Sequence, residues 1–197
     1  MKFFNPDFRF HVGLRNVKTA LSATIVALVY LFVNRDPTFA CIGAVFGTGS
    51  DMKNSRLNGG NRFFGTIFGG VLGMLLFRIY IIFFPEGVYP DYGFHVLMLP
   101  LLFVGVIALI LVCQLFRWAG AIQPGGVMLS IILFRTPVES YISYSINRIV
   151  DTGIGVLVAL LINYLLPRER LVRWLGTIGI RKYRVELHSG KDKDYER

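Results

Sequence analysis

An all-α integral membrane protein with six transmembrane helices, arranged as two inverted three-helix repeats, is the fold that the sequence predicts. Three observations lead there. Of 197 residues, 54% are hydrophobic and 17% charged, with a mean hydropathy of +0.56, whereas about a quarter of a soluble domain is charged. Long blocks such as Phe94 to Phe116 contain no Asp, Glu, Lys or Arg, and a helix needs only ~20 such residues to cross a bilayer. Finally, Asn61-Arg62-Phe63-Phe64-Gly65-Thr66-Ile67-Phe68-Gly69 returns 86 positions later as Asn147-Arg148-Ile149-Val150-Asp151-Thr152-Gly153-Ile154-Gly155.

Other classes fall away on the same figures. With 14% aromatic residues and scattered glycines, disorder, collagen and coiled coil are excluded. No span alternates as an outer-membrane strand would, so the continuous apolar runs read as helices.

Residues 1–13, with Phe3, Phe4, Phe8 and Phe10, read as an interfacial segment. The first span, Leu14 to Val33, follows Lys2 and Arg9 as a signal peptide would, but no small-residue cleavage site closes it and more spans follow, so it is a transmembrane helix. Arg15, Lys18 and Ser22 form a polar stripe along it, facing either the protein interior or, for Lys18, the headgroups by snorkelling. The second span, Pro37 to Ser50, is short. The third, Arg62 to Phe84, places Gly65, Gly69 and Gly73 on one face, and their places in the repeat are taken by Asp151, Gly155 and Ala159. Small residues so spaced let helices approach closely, which makes Gly65, Gly69, Gly73 and Gly155 packing candidates, with Gly43 and Gly47 extending the logic. Phe94 to Phe116 is the fourth span and Trp118 to Phe134 the fifth, with Gln123-Pro124-Gly125-Gly126 near its start. Ile146 to Leu166 completes a six-helix domain over 14–167, and a basic tail, 168–197, follows.

Three helices per half is an odd number, so the second half must run through the membrane in the opposite sense. Short or broken helices at matching positions, here the second and fifth, mark a binding site in such folds, the alternative being a proline kink capped by its neighbours. Orientation follows from Lys and Arg, which stay cytoplasmic. The flanks on the amino-terminal side and the tail hold most of them, while the connection bearing Glu86 and Asp91 holds none. Both termini and the Asp51 to Asn61 loop are therefore expected in the cytoplasm, and the formal charge of +9 is explained without nucleic acid.

Ionisable groups within spans are expensive. Lys18, Arg62, Arg78, Arg148 and Asp151 each need a reason. Arg62 and Arg148 open helices whose dipoles are also positive at that end, and the inverted repeat puts them at opposite mouths of one pathway, so both favour anions. Asp151, three residues after Arg148, forms a local pair with it or serves as a proton carrier. Thr66 and Thr152 follow in the same motif, so the candidate substrate pathway is Lys18, Arg62, Arg148, Asp151, Thr66 and Thr152. No catalytic motif is present, Cys41 and Cys113 fall in apolar stretches, and no metal, cofactor or enzymatic role is expected.

The segments Leu14-Arg15-Asn16-Val17-Lys18-Thr19-Ala20, Arg62 to Gly70 and Arg148 to Gly155 together resemble the fusaric-acid-resistance and aromatic-acid-exporter family, related to the aluminium-activated malate transporters, over roughly Gly13 to Pro167. The resemblance implies a six-helix bundle in the plasma or bacterial inner membrane that moves small organic anions, aromatic or carboxylic, and assembles as a homodimer. Members commonly continue into a further domain, whereas about thirty residues follow Pro167 here. The competing class is a non-transporting membrane scaffold or accessory subunit whose glycine seams serve assembly only.

Overall fold

The computed structural model describes residues 14–83, 96, 98–137 and 139–167, and all regular structure among them is helical. Among the described residues, four helices are long and apolar enough to cross a membrane: α1 (Leu14–Val33), α3 (Met52–Phe83), α4 (Met98–Leu115) and α6 (Tyr141–Leu165). Two are shorter. α2 (Thr38–Gly47) has 10 residues and α5 (Ile122–Arg135) has 14, which gives about 15 and 21 Å of rise against a hydrocarbon core of ~30 Å. A 3₁₀ turn, Ala119–Ala121, leads into α5. The interfacial amino-terminal segment, the Glu86–Asp91 connection and the basic tail lie outside the described residues.

α1 has the limits its apolar run predicts, but other boundaries move. The expected Asp51 to Asn61 loop is helical from Met52. Asp51 starts the helix, its Oδ1 accepting the Asn54 N–H at 2.7 Å, and no proline follows to stop it. Polarity hid these nearly three turns of helix from a count of apolar residues. α6 likewise starts at Tyr141 rather than Ile146. α5 is not broken at Pro124, because Pro124 stands in its first turn, where backbone N–H groups lack intrahelical acceptors anyway. The discontinuity lies upstream, at Arg117.

Arg117 has a positive φ of 55°, and Asn34, after α1, one of 52°. α1 and α4 end alike. Asn34 N–H donates to Leu31 O (3.2 Å) and Arg35 N–H to Tyr30 O (3.1 Å), while Arg117 N–H donates to Gln114 O (3.0 Å) and Trp118 N–H to Cys113 O (2.7 Å). These paired closures satisfy the last carbonyls of each helix. The side chain of the next residue then reaches the asparagine of the repeated motif: Trp118 Nε1 donates to Asn61 Oδ1 at 2.6 Å and Arg35 Nη2 to Asn147 Oδ1 at 3.4 Å.

Packing interleaves the first three helices with the last three. α2 lies chiefly on α6 and α5 chiefly on α3, α3 and α6 touch each other, and α1 and α4 flank the pairs. Glycine makes the two tight seams. A Cβ at Gly69 would meet the Gly125 carbonyl, and one at Gly155 would meet the Ala40 carbonyl and the Ala44 nitrogen. Gly65 faces Ala121 and Pro124, Gly73 faces Ile132, and Gly43 and Gly47 face Thr152, Val156 and Ala159. Phe77, Tyr80, Leu129, Ile132 and Leu133 fill one core, and Val26, Tyr30, Ala40 and Ala44 another. Leu31, Phe32, Phe103 and Leu111 are exposed, as an apolar perimeter in lipid requires.

Candidate anion site

A cavity of about 930 Å³ opens among α1, α2, α3 and the start of α5, with Arg15, Asn16, Phe46, Asn61, Arg62 and Gln123 in its wall. It lies toward the end at which α1 begins, here called the near end. Among the described residues, its wall carries two guanidinium groups and several amides but no Asp or Glu. Arg62 sits 5.3 Å from the centroid of the Phe46 ring, its Nε is buried without a hydrogen-bond partner, and no carboxylate pairs with it among the described residues. A buried unpaired donor on a cation is costly in a protein interior and is satisfied by an anion. Asn61, held by Trp118, adds a polar group beside it. Gly120, Gln123 and Pro124 bring the amino-terminal end of α5 to the same wall, so the helix dipole adds positive potential.

The opposite, far end is arranged differently. Arg148 Nη1 lies 3.7 Å from Asp36 Oδ2, and its guanidinium lies over the rings of Phe39 (3.7 Å to the centroid) and Tyr144 (4.5 Å). Asp151 Oδ1 accepts from the Tyr30 hydroxyl at 2.8 Å and pairs with Arg35 Nη2 at 3.2 Å. The pairs are therefore crossed between the α1–α2 turn and α6, and the local Arg148–Asp151 pair expected from their spacing does not form. Asp151, with a 5% exposed side chain, faces inward to α1, while Arg148 points toward the start of α2. Asp36 lies in the turn outside the spans, and the Thr38 hydroxyl and amide, both donating to Oδ1 (2.6 and 3.0 Å), hold its carboxyl below the usual carboxylate range.

The sequence model of the family described as "Aromatic acid exporter family member 1" matches residues 10–166, which takes in every helix of the bundle. The chain belongs to the aromatic acid exporter family. Comparisons with curated proteins and with solved structures find no match. Membership in the aromatic acid exporter family makes the chain a multi-pass membrane protein from a family of organic-acid transporters.

The remaining site candidates fall in separate places. Lys18 is buried at 3% exposure, and its Nζ donates to Asn163 Oδ1 at 2.7 Å, while Asn163 Nδ2 donates to Ser55 Oγ at 2.9 Å. Lys18 thus faces the interior, joins α1, α6 and α3, and is not part of the cavity wall. Thr66 turns its hydroxyl onto the Arg62 carbonyl at 2.8 Å, whereas the fully buried Thr152 hydroxyl has no hydrogen-bond partner. Arg78 is exposed on α3. Sequence reasoning missed Asn61, Gln123, Tyr30, Arg35 and Asp36. Asn61 and Asn147 stand in the repeat motif itself, a signal that was open to reading, while the Tyr30–Asp151 contact joins residues 121 positions apart and left none.

Proposed function

We propose that this chain is a transporter or channel that exports small organic anions, aromatic or carboxylic, binding them at Arg62. The observation that carries the reading is the near-end cavity: two guanidinium groups, amide donors and an aromatic ring surround an open volume with no acidic residue among the described ones. That chemistry suits a carboxylate on a planar apolar body, with the charge met by Arg62 and Arg15 and the ring lying along Phe46. Arg148 is a second station at the far end, and Lys18, one turn beyond Arg15, adds positive potential behind the wall. Six crossings in two inverted halves fit this reading. α2 links the far end, where α1 finishes, to the cavity, where Phe46 lines the wall, and α5 occupies the matching place in the second half. The near end is cytoplasmic by its basic residues, and the exposed apolar faces leave room for a homodimer.

Reconstituted flux tests the reading. Proteoliposomes holding the wild-type protein are expected to carry benzoate, and Arg62→Gln to carry it at least ten-fold more slowly at unchanged folding, since a charge-assisted hydrogen bond contributes about 1.5–3 kcal/mol. Absence of benzoate flux in the wild type would sink the proposal and leave the scaffold reading.

A further inference from the structure

Resting on that transport reading, we propose that the Arg35-Asp36 turn between α1 and α2 is a gate on the far mouth, in which the Asp36 carboxylate occupies Arg148 in place of a substrate carboxylate. Arg62 and Arg148 hold equivalent places in the repeat, and each lies over an α2 phenylalanine with its Nε buried and unpartnered, but they differ in their carboxylate partners. Arg62 faces an open cavity with no carboxylate partner among the described residues, whereas Arg148 is clasped by Asp36, Phe39 and Tyr144 and is only 16% exposed. Among the described residues, one end is thus open around its arginine and the other is closed over its own.

The turn is fastened by consecutive residues to one face of α6. Arg35 takes Asp151 and Asn147, and Asp36 takes Arg148. Beneath this clasp the α2 and α6 backbones are in contact through Gly43, Thr152, Gly155 and Ala40, which leaves no opening along that seam. The Thr152 hydroxyl, next to Asp151, is buried with no partner, a donor that water or an anion satisfies once the turn lifts.

The two pairs differ in how easily they part. Asp151 is 5% exposed and doubly held by Tyr30 and Arg35, which makes it the anchor. Asp36 is 58% exposed and stands 3.7 Å from Arg148, longer than a tight charge-assisted bond. A carboxylate arriving at Arg148 therefore displaces Asp36 readily. Asp36 then swings off with the start of α2, because both its firm hydrogen bonds are to Thr38, while Arg35 stays on Asp151 as the hinge.

The test uses Thr152→Cys as a reporter in a Cys41→Ala, Cys113→Ala background, reconstituted in vesicles and exposed to a membrane-impermeant thiol reagent. Benzoate flux is measured in parallel with Thr152 in place. Asp36→Asn is expected to raise both the labelling rate and the flux about two- to five-fold, the range of an exposed ion pair, and Asp36→Glu to return both to wild-type values. Unchanged labelling with unchanged or lowered flux in Asp36→Asn would overturn the gate while leaving wild-type transport standing. Faster labelling of a protein that carries no benzoate would keep the hinged turn and overturn the transport reading instead.

Discussion

Gly155→Ala is expected to force α2 away from α6, because the new methyl group meets backbone on all sides: the Ala40 carbonyl oxygen and carbon and the Ala44 nitrogen. No side chain can rotate to make room. Relief needs a helix displacement on the order of 1 Å, enough to forfeit a quarter to a half of the dispersion energy of each contact along the seam. Overpacking of this kind costs about 1–3 kcal/mol, and the rigid neighbours place Gly155→Ala at the upper end. Two further substitutions calibrate the effect. At Gly70 the nearest obstacle is the flexible tip of Ile149, 3.2 Å away, and at Gly126 nothing lies within 4 Å. Gly70→Ala should therefore be near neutral, and Gly126→Ala should gain up to about 1 kcal/mol from helix propensity. The propensity gain is common to both variants, so at about 2–4 °C per kcal/mol for a chain of this size, Gly155→Ala and Gly126→Ala should melt roughly 6–12 °C apart. Thermal unfolding in detergent, followed by size-exclusion chromatography, reads the difference. Coincident melting of the two variants would refute the backbone-contact argument.

Three other outcomes follow from the site. Lys18→Met and Asn163→Leu should each destabilise the bundle by about 1–3 kcal/mol by leaving a buried polar group unsatisfied, and the double variant by less than the sum; additive losses in denaturation would show that their 2.7 Å bond contributes nothing. Trp118→Phe removes the donor to Asn61 and should weaken benzoate binding several-fold by loosening the cavity wall, an effect that equilibrium dialysis detects and equal affinity would contradict. Asp36 has a lowered folded pKa, so its stabilisation is complete above the unfolded carboxylate pKa and is lost only as pH falls through the folded value. Melting curves of the wild type and Asp36→Asn should accordingly keep a constant offset from pH 5 to pH 8, and convergence toward pH 5 would contradict the assigned direction.

Membrane residence and α1 were legible because lipid demands long apolar runs, which composition displays directly. The start of α3 was not, since Lys53, Asn54, Arg56 and Asn58 are polar yet compatible with helix. Arg62 was marked as an anion-seeking residue by its charge inside an apolar stretch, but the cavity around it is built by Phe46, Asn61 and Gln123 from three helices, and their meeting is a matter of tertiary packing. Asp151 shows the limit clearly. Spacing on one helix offered Arg148, and the fold instead delivered Tyr30 from the end of α1 and Arg35 from the turn that follows it.

The interleaving of α2 with α6 bears on how the chain is made. α2 is only 10 residues long, and its closest seam partners, Thr152 and Gly155, emerge from the ribosome roughly 110 residues after Gly43, on the order of 5–20 s later at ordinary synthesis rates. During that interval α2 has α1 and then α3 to dock on, but the glycine seam that α6 fills is bare and the ends of this short helix are unsatisfied. The nascent α2 is therefore only half packed, held by α1 and α3 with its glycine face uncovered, until α6 arrives. A chain stopped after α3 would accordingly leave this segment exposed to quality control rather than yield a stable half-protein.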